Sequence, residues 1–112
     1  MARIVQRQIV TVRYPVSAHP HPAVVLSVDE GNDDWVVCAM ISTMDWSDEF
    51  AFPLTVDMVD PPMSRRCEVR MHLVGGFPPE NVASDRQRMR PAAFKRLLKG
   101  INAVVFGLEQ EG

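Results

Sequence analysis

The sequence predicts an α+β domain that is mainly β: a small, strongly bent antiparallel barrel carrying one C-terminal amphipathic helix. Short runs rich in β-branched residues, separated by Pro, Gly, Asn and Asp, fill the first three quarters of the chain. Beyond residue 90 the hydrophobic period changes from that of a strand to that of a helix. The 112 residues, 46% hydrophobic and 23% charged, suit one globular domain spanning 1–112, in which a single core serves stability and function alike.

Gln8 to Tyr14 opens the sheet and is closed by Pro15, which has no N–H to give to a ladder. Ala23 to Val28 is almost continuously apolar, the pattern of a central strand. Asp29-Glu30-Gly31-Asn32-Asp33-Asp34 offers turn residues able to take positive φ, and Trp35 to Ser42 returns as the hairpin partner. Glu49 to Val56 alternates around Phe50, Phe52 and Leu54. Arg66 to Leu73 directs Cys67, Val69, Met71 and Leu73 to one face and gathers Glu68, Arg70 and His72 on the other, a polar outward face if the strand is half-buried. Within Asn81 to Met89, a period of two suits a short strand with Arg86, Arg88 and Arg90 on one side. Phe94, Leu97, Leu98, Ile101, Val104, Val105 and Leu108 then mark one helical stripe. Pro91 suits its first turn, Lys95, Arg96 and Lys99 lie off the stripe, and Gly100 weakens it slightly. The helix is expected to pack through Phe94, Leu97, Leu98 and Ile101, so that Leu98→Asp is strongly destabilising.

The formal net charge of −2 conceals two opposed segments. Nine acids lie between Asp29 and Asp60, and no Lys or Arg occurs between Arg13 and Arg65. Nine bases follow from Arg65 to Lys99 against Glu68, Glu80 and Asp85, making the C-terminal part a candidate polyanion-facing surface, with a solvated helix face as the plainer alternative. Cys38 and Cys67 cannot make a four-thiolate zinc site and lack the spacing of a redox pair, so both read as reduced and structural. No apolar run approaches the roughly 20 residues of a membrane-spanning helix, and Met1 to Arg7 is followed by no long apolar signal core, which leads us to expect a cytoplasmic protein without membrane contact.

Phosphate-binding Gly loops, paired helical histidines and nucleophile elbows are missing, which removes the main sequence support for nucleotide hydrolases, zinc proteases and α/β-hydrolases. His19-Pro20-His21-Pro22 places two imidazoles, groups able to move protons near neutral pH, just before the central strand, where the prolines restrict the backbone. Two residues apart on one strand face, Arg70 and His72 pair a permanent cation with a proton carrier, a combination suited to holding a phosphate while a proton moves. Ser42 and Thr43 add hydroxyls at a strand end, where such residues also serve turns.

The runs His21-Pro22-Ala23-Val24-Val25-Leu26-Ser27 and Val36-Val37-Cys38-Ala39-Met40-Ile41-Ser42-Thr43, with Glu68-Val69-Arg70-Met71-His72 and the closing helix, resemble the MazF/PemK (Kid) family of toxin endoribonucleases. The resemblance runs from about residue 8 to 106 on short motifs. It implies an SH3-like barrel that dimerises, cleaves single-stranded RNA without a metal or other cofactor, and is neutralised by an antitoxin protein. It also implies catalytic positions at His21, Ser42 or Thr43, Arg70 and His72; His19 and, from the basic stretch, Arg86, Arg88 and Arg90 are the expected RNA contacts. Of these, Arg70 alone matches the family pattern outright. His21 replaces an Arg before Pro, His72 replaces an acid after the strand Arg, and Arg7-Gln8 replaces a Gly-Asp near the first strand.

Those replacements are compatible with chemistry. Attack of a ribose 2′-OH on the adjacent phosphorus needs a base, an acid for the departing 5′ oxygen and a cation for the phosphorane charge, roles that two histidines and one arginine can fill. The alternative is a catalytically degenerate barrel that binds protein or nucleic acid. The acidic middle, with Trp46, Phe50 and Phe52 beside Asp45, Asp48 and Glu49, is a candidate surface for it, although core packing of the two Phe is the simpler expectation.

Overall fold

The computed structural model describes residues 3–13 and 19–108. Its strands are β1 (Gln8–Val12), β2 (His21–Val25), β3 (Val36–Ser42), β4 (Ala51–Leu54), β5 (Val59–Asp60), β6 (Cys67–Phe77) and β7 (Val82–Met89), followed by helix α1 (Pro91–Val104). They form one curled antiparallel sheet, a half-barrel, in the order β4-β6-β3-β2-β1-β7-β5. No helix among the described residues is long and apolar enough to cross a membrane. The expected continuation of the first strand to Tyr14 and Pro15 lies outside the described residues.

The curl buries both faces of the central strands. Ile9, Val24, Ala39, Ile41, Cys67, Val69 and Met71 join one cluster, covered by Ala93, Phe94, Leu97 and Ile101 of α1. Val10, Val12, Ala23, Val25, Val36, Cys38, Met40 and Phe77 form a second cluster on the opposite face, where the sheet folds over itself. This is why β2 and β3 read as continuous apolar runs rather than alternating ones. It also keeps both cysteines buried as free thiols, with burial pushing the Cys38 thiol up to about 12. Gly100 sits against Met71: a Cβ there would meet the Met71 sulfur at 2.7 Å, so the glycine permits a close approach of helix to sheet.

Several expectations change in detail. Leu97 is fully buried whereas Leu98 is only half-buried, so the sensitive helix position is Leu97. Val104 and Leu108 are exposed, and Leu108 falls beyond the helix. The turn between β2 and β3 uses no positive φ. A short 3-10 turn, Asp29–Gly31, is followed by Asn32 in the ordinary right-handed region, and the buried Asn32 amide accepts from Ser27 Oγ at 2.5 Å and donates to Ile4 O at 3.2 Å. Positive φ appears instead at Arg7 (76°), Ser47 (49°) and Gly107 (66°). A side chain in that region costs roughly 1–2 kcal/mol, and Arg7 is held by N–H donation to Val25 O and guanidinium donation to Met89 O.

The larger departure lies in β6. Ala39 pairs with Val74, but the next residue, Met40, pairs with Arg70, so Met71, His72 and Leu73 form a three-residue bulge on the β6 side. The bulge shifts the alternation: Cys67, Val69 and Met71 point to the core, while Leu73 turns outward and is exposed. The strand then continues to Phe77, four residues beyond its expected end. Glu68 and Arg70, expected on a solvated face, are 3% and 7% exposed, because their face is the one enclosed by the curl.

Candidate functional site

The ends of β2, β3 and β6 meet where the inner face of the half-barrel opens. Ala23 pairs with Met40, and continuing that register sets His21 across from Ser42, which itself pairs with Glu68. By strand alternation His21, Ser42, Glu68 and Arg70 therefore share one face. A cavity of about 730 Å³ opens there, lined by His21, Ser42, Thr43, Arg70 and His72, with Pro22, Met40, Ile41, Met44 and Leu73 as apolar walls and Trp46 and Asp48 on a loop. The structure thus gathers residues 21, 42, 43, 70 and 72 around one space, although they come from three separate stretches of sequence.

Arg70 is the organising charge, and it is already engaged. Its guanidinium donates to both oxygens of Asp48, at 3.0 and 2.8 Å, and lies 3.6 Å from Glu68 Oε1. It also sits 5.5 Å from the Trp46 ring centroid. The two carboxylates differ in access: the Asp48 side chain is 42% exposed and that of Glu68 4%. Asp48, half exposed, is therefore the partner of Arg70 open to competition from solution, while Glu68 is not. Arg70's hydrogen bonds, ahead of the Phe50 N–H and the neighbouring Arg70 and His72, hold the Asp48 carboxyl below its ordinary value. A depressed carboxylate contributes fully above its unfolded value, near 4, and that contribution is lost as pH falls through the lower folded value. The Arg70–Asp48 contact accordingly persists across the neutral range, and its exposed half is screened by salt.

The loop from Thr43 to Phe50 folds back over β6. Its Trp46 N–H donates to Glu68 Oε1 at 3.1 Å, the Trp46 indole donates to Ser42 Oγ at 3.3 Å, and Met71 N donates to Phe50 O at 2.9 Å. The Phe50 ring lies 4.5 Å from the His72 imidazole, tilted by 38°, and holds the imidazole at the cavity. Phe52 packs on the core as expected, whereas Phe50 serves this contact instead.

His19, Arg86 and Arg88 of β7, and Arg90 at the start of α1 stand apart from this space. None of them lines the cavity, and β7 is separated from β3 by β2 and β1. Arg88 gives its Nε–H to Gln6 O at 2.9 Å and Arg90 to Asp57 O at 3.0 Å, while Arg86 is exposed. Sequence reasoning did not assign Trp46, Asp48 or Glu68 to the site. Glu68 carried a signal in its two-residue spacing from Arg70, but the loop contacts bridge 22 residues and leave no local trace.

No family model and no curated protein sequence matches the chain. Solved structures do. An endoribonuclease in complex with its cognate antitoxin from a mycobacterial species superposes with a TM-score of 0.77 at 13% identity, over 96% of this chain and 99% of the other. MazF from Deinococcus radiodurans gives 0.78 at 11% identity, over 96% and 100%. The Mycobacterium tuberculosis toxin MazF-mt6 gives 0.70 at 16% identity, over 93% and 100%. The three likenesses share one architecture with this chain. In particular, the chain has the MazF fold, as the sequence resemblance implied, and at these identities the likeness is one of fold.

Proposed function

We propose that this protein is a toxin-type endoribonuclease that cleaves single-stranded RNA by 2′-OH attack, without a metal. The observation that carries the reading is the convergence of His21, Ser42, Thr43, Arg70 and His72 on one cavity in a fold shared with endoribonucleases. One imidazole removes the 2′-OH proton as the 2′ oxygen bonds to phosphorus. The other protonates the 5′ oxygen as its bond to phosphorus breaks, leaving a 2′,3′-cyclic phosphate and a 5′-hydroxyl. Arg70, released from Asp48 and oriented by Glu68, stabilises the phosphorane, and Ser42 and Thr43 orient the phosphate. His19, Arg86, Arg88 and Arg90 meet the strand outside the cavity.

The same reading gives the protein an antitoxin partner, as the mycobacterial endoribonuclease has, and a two-fold dimer that widens the surface offered to an extended strand. Incubating the purified protein with RNA of mixed sequence in EDTA is expected to yield products ending in a cyclic phosphate, with a bell-shaped pH profile to which each imidazole contributes one limb. An intact RNA after long incubation would overturn the proposal.

A further inference from the structure

The cavity has an aromatic rim that the cleavage chemistry does not use. Trp46 is 54% exposed and lines the opening beside Arg70. An exposed indole on a loop is ordinarily mobile, but here three contacts fix it. Its backbone N–H is held by the buried Glu68, its ring N–H by Ser42, and the Arg70 guanidinium stands by the ring. The next residue, Ser47, has a φ of 49°, in the left-handed region unusual for a residue other than glycine, and its hydroxyl bonds the Asp45 carboxylate. A turn with a left-handed residue that holds a large, half-exposed ring at the mouth of a cavity beside a guanidinium is better accounted for by a ligand for that ring than by folding.

We propose that Trp46 is a base-stacking platform that receives an unpaired nucleobase next to the phosphate held at Arg70; this rests on the reading of the cavity as an RNA site. The guanidinium carbon lies over the indole, 5.5 Å from the ring centroid, and the ring keeps an exposed side, so a phosphate on the cation sets the adjoining base against that side. Bases in a duplex are already stacked on their neighbours, so the platform selects single strands and tolerates different bases, since each has a π face. Trp46 is thus a specificity-determining residue whose contribution appears in KM more than in kcat.

The test uses the intact protein carrying Trp35→Phe, which leaves Trp46 as the sole indole; Trp35 lines no part of the cavity. The probes are a short 2′-O-methylated single strand, which lacks the attacking hydroxyl, and an abasic strand with the same number of phosphates. Quenching of Trp46 fluorescence by the first and not by the second is the expected result. Absence of quenching by either, or equal quenching by both, overturns the platform. On cleavable RNA, Trp46→Ala is expected to raise KM roughly tenfold or more, while Trp46→Phe restores most of the loss. An unchanged KM for Trp46→Ala in a cleaving protein overturns the inference alone. Base-dependent quenching by a protein that cleaves nothing overturns only the endonuclease reading.

Discussion

Leu97→Asp is expected to lower the melting temperature by roughly 10 °C or more, corresponding to a loss of about 3 kcal/mol or more for a domain of this size. Leu97 is fully buried between the helix and the sheet, within the cluster that includes Val69, Met71 and Ile101. The substitution removes apolar burial and also places a carboxylate among apolar side chains. Because the whole stability of such a domain is on the order of 5–15 kcal/mol, a large share of it rests on this one contact layer. Leu98→Asp is expected to cost less, since Leu98 only borders the cluster, and Lys95→Asp on the exposed side little. Thermal melts of the three variants check the order. A Leu97→Asp protein that melts with the parent would contradict the docking of α1.

Arg70→Ala is expected to reduce RNA cleavage by roughly 10²-fold or more at every pH, because among the described residues it removes the one cation lining the cavity that is charged throughout the working range. The same change leaves the nearly inaccessible Glu68 carboxylate without its neighbouring cation. A lower melting temperature should therefore accompany the kinetic loss, and rates must be compared well below it. Arg70→Lys keeps the charge but not the planar fork that grips both Asp48 oxygens, and should fall between parent and Arg70→Ala. Asp48→Asn weakens the competitor for the guanidinium and is expected to tighten RNA binding. Equal rates for parent and Arg70→Ala would remove Arg70 from the chemistry.

The helix was legible because strands and loops do not sustain a 3.6-residue apolar period over a stretch as long as Phe94 to Val105. The β2–β3 hairpin was legible from two apolar runs flanking a polar turn, although the turn takes a 3-10 form in place of positive φ. Alternation in β6 separated Glu68 and Arg70 from Cys67, Val69 and Met71, yet alternation alone does not say which face meets water. Here the curl encloses both. The bulge at Met71 to Leu73 was illegible, since it depends on the register with β3. The two-residue β5 was missed, being too short to show a period. The grouping of His21, Ser42, Thr43, Arg70 and His72 was suggested by family-like motifs of which Arg70 alone matches outright, whereas the loop carrying Trp46 and Asp48 reaches that space only through long-range contacts. Arg86, Arg88 and Arg90 fit a strand pattern, but nothing local revealed that β7 lies across the sheet from the cavity.

The most direct measurement compares the parent with the His21→Ala/His72→Ala double variant on a single-stranded RNA in EDTA, both confirmed folded by their melts. If the two imidazoles form the proton-transfer pair, the parent yields cyclic-phosphate fragments. The double variant should then lose activity by about as much as either single variant, because the two groups serve one cycle. Identical RNA ladders from parent and double variant would contradict the assignment of this cavity as the cleavage site.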